Sequence, residues 1–386
     1  MPTLRRTSLT ALLSSALVLS AFPAGAADGE LVIGYAAAVT GNLSMVDSPD
    51  GVRCRVEQIN EAGGINGAQI RLEIRDTKSD AVTAANVAQD LIDSGADVLF
   101  GPPTDDGLIP MASLALPQGI AVLSVGSTQA AFPQAAPENG YLVPFGDNAS
   151  AAAAAEFAYA AGHRKVVLMI AHDVGAYSLL TPEYFAQAFE KLGGEVVGRV
   201  TYHHGLADYT AQVTEISNLP GQPDMIFAAI LNPDAGVLAR TLKTANVNLP
   251  VYGTDGFDDP SFIDVAGPGA ELATFATHGF ADDGSALKAF FDDCEKRGYT
   301  IQNVFFGLGG EAVEIVKTAA EAARSFDPVA LNAAIREIEG MQGIVANSVT
   351  YKGQGGTPLK EITIIQVKDG AFAPVARLTP GWVAAP

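Results

Sequence analysis

Short apolar runs alternate with stretches of helical periodicity along the first part of the chain. Residues 31–35 (Leu-Val-Ile-Gly-Tyr) form a continuous run typical of a buried strand, whereas residues 69–75 alternate apolar and polar positions. Apolar side chains between these two strands predict a helix that stops near residue 63. From 84 to 92, apolar positions recur at i, i+3, i+4, i+7 and i+8, which predicts a second helix that Gly95 ends.

The pattern continues to residue 123 and restarts after Asn148. Strands at 97–100 and 120–123 flank a helix predicted over 108–116. The second part predicts helices at 150–161, 177–192, 209–218 and 234–246, and strands at 165–170, 195–201, 224–228 and 250–252. Strands separated by single helices build parallel sheets covered on both faces. The chain therefore predicts an α/β protein with two doubly wound parallel-sheet units.

The last hundred residues return to a long helical pattern and end in strand patterns. Residues 284–325 read as helical, and strand patterns follow at 346–351 and 361–367, separated by a turn cluster at 353–358. Ligands of open parallel sheets bind beyond the carboxyl ends of the strands. Two such units facing each other would therefore place a ligand in the cleft between them.

The first 26 residues have the pattern of a secretory signal peptide. Arg5 and Arg6 form a basic start, and residues 9–22 form an apolar run too short for a membrane span. A small-x-small cleavage site follows and ends at Ala26. We therefore expect cleavage near Ala26 and export to the periplasm.

The net negative charge of the chain disfavours two classes of binding partner. The chain has 23 Lys and Arg against 43 Asp and Glu, a net charge of −20, and loss of the first 26 residues would bring it to −22. Nucleic-acid and anionic membrane surfaces attract basic side chains, so neither is expected as a partner. The two cysteines, Cys54 and Cys294, would meet an oxidising compartment. A disulfide between them and two separate buried thiols both stay open.

Two strand–helix junctions of the first unit carry small and polar residues. Thr104 and Asp105 follow one strand, and Gly126, Ser127 and Thr128 follow the next. Free N–H groups where helices begin suit a carboxylate ligand. The same residues are also suited to helix capping, and the sequence leaves both roles open.

The second unit and the long helix add three candidate ligand-binding residues, and each also fits a purely structural role. Tyr177 could lay its ring on a ligand or be ordinary half-buried surface. Asp255 could accept hydrogen bonds from an ammonium group or form a turn. Phe305 fits either a pocket wall or the core.

The sequence carries no recognisable catalytic motif. There is no Gly-x-Ser-x-Gly elbow, no His-Glu-x-x-His and no phosphate-binding Gly-x-x-x-x-Gly-Lys loop. His203 and His204 lie on a predicted strand, where neighbouring side chains point to opposite faces, which disfavours a metal site. We therefore expect neither catalysis nor a cofactor or metal.

The chain resembles the periplasmic solute-binding proteins of branched-chain amino acid ABC transporters, the leucine/isoleucine/valine-binding type. The resemblance rests on residues 59–67 (Ile-Asn-Glu-Ala-Gly-Gly-Ile-Asn-Gly), the Ser127-Thr128 turn and residues 253–256 (Gly-Thr-Asp-Gly). It implies the type I periplasmic binding fold, with two lobes joined by three crossovers near 145–148, 276–280 and 343–348. The implied lobes are 27–146 with 280–345, and 147–279 with 346–386.

The resemblance also implies a function. Such proteins bind an amino acid or related small polar solute between the lobes and deliver it to an inner-membrane ABC permease. A monomer that is not an enzyme is expected. The alternative with the same fold is the ligand-sensing subunit of a signalling receptor.

Several residues match positions that hold the ligand in this family. Thr128 matches the threonine that holds the ligand carboxylate, and Gly126 the position whose carbonyl takes the ammonium group. Asp255 matches an acidic ammonium partner. Tyr177 and Phe305 match residues that face the ligand.

Three departures from the family pattern change the expected ligand. Asp105 stands where a serine commonly helps to hold the carboxylate, and Leu231 where an aromatic residue is common. The loop 42–50 is about two residues shorter than usual and carries Asp47. A buried anion without a partner is costly, so these acidic residues favour a cationic or amide-bearing solute.

Overall fold

The computed structural model describes residues 29–46, 48–173 and 175–386. The predicted signal peptide and Asp47 therefore lie outside the described residues. The described chain forms two α/β lobes, each on its own sheet, which confirms the predicted fold class.

The first lobe contains a parallel sheet whose central strands are buried. Its strands are β1 (Leu31–Ala37), β2 (Ile70–Asp76), β3 (Val98–Gly101), β4 (Ala121–Ser124) and β5 (Gly140–Leu142). They lie in the order β2-β1-β3-β4-β5. The helices that alternate with them are α1 (Pro49–Glu61), α2 (Ala81–Asp93), α3 (Asp105–Ala115) and α4 (Ala131–Ala135).

The second lobe contains a mixed sheet. Its strands are β6 (Lys165–Ala171), β7 (Glu195–Tyr202), β8 (Met225–Ala228), β9 (Val251–Gly253), β10 (Ala273–Thr277), β11 (Ile362–Lys368) and β12 (Ala371–Leu378). The order is β12-β11-β10-β9-β8-β6-β7, parallel from β10 to β7 and antiparallel at β11 and β12. Its helices are α5 (Asp147–Ala160), α6 (Ala176–Lys191), α7 (Thr210–Ser217), α8 (Asp234–Thr244) and α9 (Ser261–Ala266).

The chain then returns to the first lobe through three further helices, α10 (Ala286–Lys296), α11 (Phe305–Ala323) and α12 (Pro328–Arg336). The helical pattern predicted over 284–325 comprises two helices, because Gly298 follows α10 with a φ of 95° and interrupts it. A disulfide joins Cys54 of α1 to Cys294 of α10, which resolves the alternative left open by the sequence.

The strand predicted at 346–351 is wrong. Val349 and Thr350 form only isolated bridges, with Met341 and Leu359. Tyr351 instead packs in the first core, where its hydroxyl donates to the Leu142 carbonyl at 2.6 Å. The lobe boundaries stay a prediction, and these contacts favour a third crossover nearer to residue 360.

A buried ion pair lies where the lobes join. The ammonium group of Lys360 contacts the Glu311 carboxylate and the Val143 carbonyl, and both charged side chains are almost fully buried. The other Glu311 oxygen accepts from the N–H groups of Val345 and Ala346, at 2.8 and 3.2 Å. The pair therefore fixes α11 to segments that lead into the second lobe.

Within the described ranges, no helix has the length and apolar character required to cross a bilayer.

Candidate functional site

Three carboxylates from different parts of the fold act on one another. Asp105 begins α3 in the first lobe, Asp147 begins α5 directly after the first crossover, and Asp255 follows β9 in the second lobe. The charges of Asp255 and Asp105 both raise the pKa of Asp147. The carboxyl ends of the two sheets thus meet at one acidic site, which we call the interlobe cluster: Asp105, Asp147, Asp255, Asp258 and His278.

The first-lobe side of the cluster is built at two junctions. Thr104 precedes α3 in the N-cap position, and the Ser127 hydroxyl donates to Asp105 Oδ1 at 3.1 Å. The Ser124 hydroxyl in turn accepts from the Ser127 N–H at 2.8 Å, which fixes this turn. Burial raises the pKa of Asp105 to about 6, against the lowering effect of the Ser127 hydrogen bond, and Asp106 raises it further.

Gly126 and Thr128 connect this turn to its surroundings. A Cβ at Gly126 would lie 2.2 Å from the Val46 carbonyl oxygen, so only glycine allows the 41–46 loop to approach. The Thr128 carbonyl accepts from the Asp147 N–H at 2.8 Å. The hydrogen bond of the Thr128 side chain lowers the pKa of Asp147. Thr128 therefore contacts the first crossover directly.

Asp147 is the most enclosed carboxylate of the cluster, with 1% of its surface exposed. The Gln129 amide donates to one of its oxygens. Burial raises the pKa of Asp147 well above its usual range, and the charge of Asp255 adds to this. The sequence reasoning missed Asp147, although it lies within the predicted crossover at 145–148. Aspartate is common in the first turn of helices, so its helix position alone does not indicate a binding residue. The one available signal was its position in the predicted crossover.

The second-lobe side holds Tyr177 by its hydroxyl group. The hydroxyl accepts from the Gly256 N–H at 3.0 Å and shares a 2.8 Å hydrogen bond with Thr254 Oγ1. A Cβ at Gly256 would lie 2.6 Å from that hydroxyl, so glycine permits the contact. Burial and the nearby charge of Asp255 raise the pKa of Tyr177 well above its usual range. Tyr177 is therefore a neutral, oriented ring.

Asp255 pairs with a histidine that the sequence reasoning did not single out. Asp255 Oδ2 lies 3.2 Å from His278 Nε2, and His278 follows β10 within the predicted second crossover. The imidazole ring lies 4.1 Å from the ring of Phe145 and 5.7 Å from that of Phe305, measured between centroids. Phe305 thus reaches the cluster through His278. The position of His278 in a predicted crossover was again the sequence signal that could have identified it as a site residue.

A further carboxyl group, Asp258, adjoins Asp255, because its N–H donates to the Asp255 carbonyl at 2.9 Å. The Thr277 hydroxyl donates to the carboxyl group of Asp258. Burial raises the pKa of Asp258 to about 7, against the lowering effect of Thr277, and the charge of Asp255 raises it further. Asp258 is therefore only partly ionised near neutral pH.

Within the described chain, His278 is the one basic side chain paired with a carboxylate of the cluster. No Lys or Arg of the described chain forms an ion pair with Asp105, Asp147, Asp255 or Asp258. In the same part of the chain, no group of three or more His, Cys, Asp or Glu is arranged to hold a metal ion. The cluster is therefore suited to hydrogen-bond donors that carry positive charge.

A sequence model of the periplasmic binding protein family matches residues 30–371. The chain belongs to the periplasmic binding protein family. This family comprises solute-binding proteins rather than enzymes, and the two-lobed fold agrees with it.

Similar proteins match this chain over nearly its full length at low sequence identity. Leu/Ile/Val-binding protein homolog 1 of Brucella melitensis is 23% identical over 355 residues, which span 90% of this chain and 93% of that protein. A leucine-binding protein structure from Thermotoga maritima has a TM-score of 0.79 and 25% identity, over 91% of this chain and 99% of that one. An ABC transporter solute-binding protein from R. palustris, solved with benzoate, has a TM-score of 0.76 and 20% identity, over 92% and 98%.

Proposed function

We propose that this periplasmic binding protein is the solute-binding component of an ABC importer. It binds an amino acid or related small polar solute between its lobes and delivers it to an inner-membrane permease. The observation that carries the proposal is the interlobe cluster, to which both lobes and two crossovers contribute side chains. A solute seated there contacts both lobes at once.

The proposed binding residues are those suggested by the sequence together with two from the crossovers. They are Thr104, Asp105, Gly126, Ser127, Thr128, Tyr177, Asp255 and Phe305, with Asp147 and His278. Ligand contacts from both lobes form only when the lobes come together, so binding shifts the population towards the closed arrangement. The permease then distinguishes loaded from empty protein by lobe closure.

The proteins similar to this chain support a small-molecule ligand. The T. maritima protein is a leucine-binding protein by name, and the R. palustris protein was solved with benzoate. The predicted signal peptide supports action in the periplasm. A monomer is sufficient, because the interlobe cluster is complete within one chain.

A thermal-shift screen of amino acids, amides, amines and aromatic acids finds the ligand, because specific binding raises apparent stability. Small-angle scattering then measures the radius of gyration with and without that ligand. We expect a decrease on binding, and an unchanged radius at saturation would contradict closure. Solute uptake by proteoliposomes that contain the permease tests delivery. Closure without stimulated uptake would favour the sensor alternative.

A further inference from the structure

The interlobe cluster contains a buried carboxylate oxygen that nothing in the described chain satisfies. Asp255 is 6% exposed, and its Oδ1 has no hydrogen-bond partner among residues 29–46, 48–173 and 175–386. Its other oxygen contacts His278, whose Nδ1 is also unpartnered within those residues. An enclosed carboxylate oxygen is costly unless a donor meets it.

The cluster has two ends rather than one. Asp105 belongs to the first lobe and is held by Ser127, whereas Asp255 belongs to the second lobe beside Tyr177. Asp147 adjoins the first-lobe end, where its N–H donates to the Thr128 carbonyl at 2.8 Å, and the charges of Asp105 and Asp255 both raise its pKa. Two separate positions for positive charge are thus linked by a third carboxylate.

The same geometry opposes a ligand carboxylate at the first-lobe end. The N-terminus of α3 attracts negative charge, and Asp105, the first residue of that helix, already lies in its field. A ligand carboxylate at this junction would face Asp105 with no Lys or Arg of the described chain to separate the two charges.

We propose, on the basis of the proposed function, that the solute is a small organic cation with N–H donors at both ends and no carboxylate. One end binds Asp105 and Ser127, and the other binds Asp255 beside the Tyr177 ring. Asp147 is the central binding residue, because it lies close to both ends.

Calorimetry of the mature protein near pH 7.5 tests this with 1,4-diaminobutane and agmatine as probes. Butylamine, leucine and benzoate serve as comparison ligands. A second charge-assisted hydrogen bond strengthens binding, so a two-ended cation should bind at least about tenfold more tightly than butylamine. Leucine and benzoate should bind more weakly than either two-ended probe.

Asp147→Asn should weaken the binding of the two-ended probe by about tenfold or more. Asp106→Asn is the matched control, because it makes the same side-chain replacement at the exposed neighbour of Asp105. Its affinity should stay within about threefold of the wild type, as expected for a screened surface charge. Asp255→Asn provides a second variant if Asp147→Asn fails to fold.

Four results would overturn the inference. They are failure of both two-ended probes to bind, equal binding of butylamine, unchanged affinity in the folded Asp147→Asn variant, and tight binding of leucine or benzoate with closure. The last of these would rule out a cationic solute but preserve the solute-binding function. A ligand that binds without closure would instead count against the proposed function.

Discussion

Replacing Asp105 with asparagine should stabilise the ligand-free protein at neutral pH. Burial raises the pKa of Asp105 from 3.8 to about 6. Between those pH values the folded protein holds a proton that the unfolded chain has lost, so stability falls as the pH rises through this window. Two pKa units correspond to about 3 kcal/mol, and solvent screening at this partly open position reduces the expected penalty to about 1–2 kcal/mol.

Asparagine keeps the shape of the side chain and an oxygen that accepts from Ser127. Urea denaturation of ligand-free protein, followed by circular dichroism, should show Asp105→Asn more stable by about 1–2 kcal/mol near pH 7.5. The gain should shrink towards zero near pH 3, where the wild-type carboxyl group is largely protonated in both states.

Asp106→Asn is again the control, because Asp106 makes a smaller contribution to the raised pKa of Asp105 than burial does. Its stabilisation should be less than half that of Asp105→Asn. A gain that is the same at both pH values, or a loss of stability near pH 7.5, would refute the burial argument.

Three other outcomes follow from the structure. Affinity for a cationic solute should rise between about pH 5 and pH 7, because the Asp105 carboxyl must lose its proton, and a flat calorimetric profile would count against this. Cys54→Ala/Cys294→Ala should cost about 3–5 kcal/mol in urea denaturation, because the disulfide closes a long loop, and unchanged stability would contradict it. Lys360→Met should cost about 3–5 kcal/mol by leaving Glu311 buried without its partner, and combining it with Glu311→Gln should recover at least half, or the ion-pair argument fails.

The central strands and most helices were predictable because their buried positions are apolar and recur with the period of a strand or a helix. Residues 84–92 predicted the helix found at Ala81–Asp93. The strand β5 was missed because it is only three residues long, Gly140–Leu142, and shows no period. The half-exposed β12 at the end of the chain was missed as well.

The candidate site was partly predictable for a similar reason. Asp105, Tyr177 and Asp255 stand at strand–helix junctions, and topology places such junctions at one edge of each sheet. Asp147 and His278 stand where the chain passes between lobes, so their meeting depends on how both sheets assemble. The pairing of Cys54 with Cys294, 240 residues apart, depends on assembly in the same way.

The most direct test of the account is a crystal structure of the protein with the tightest-binding solute from the screen. We predict the solute between the lobes, with donor nitrogens within hydrogen-bond distance of Asp147 and Asp255 and with Tyr177 against it. A solute bound outside the cleft, or one whose carboxylate lies against Asp105, would contradict the account.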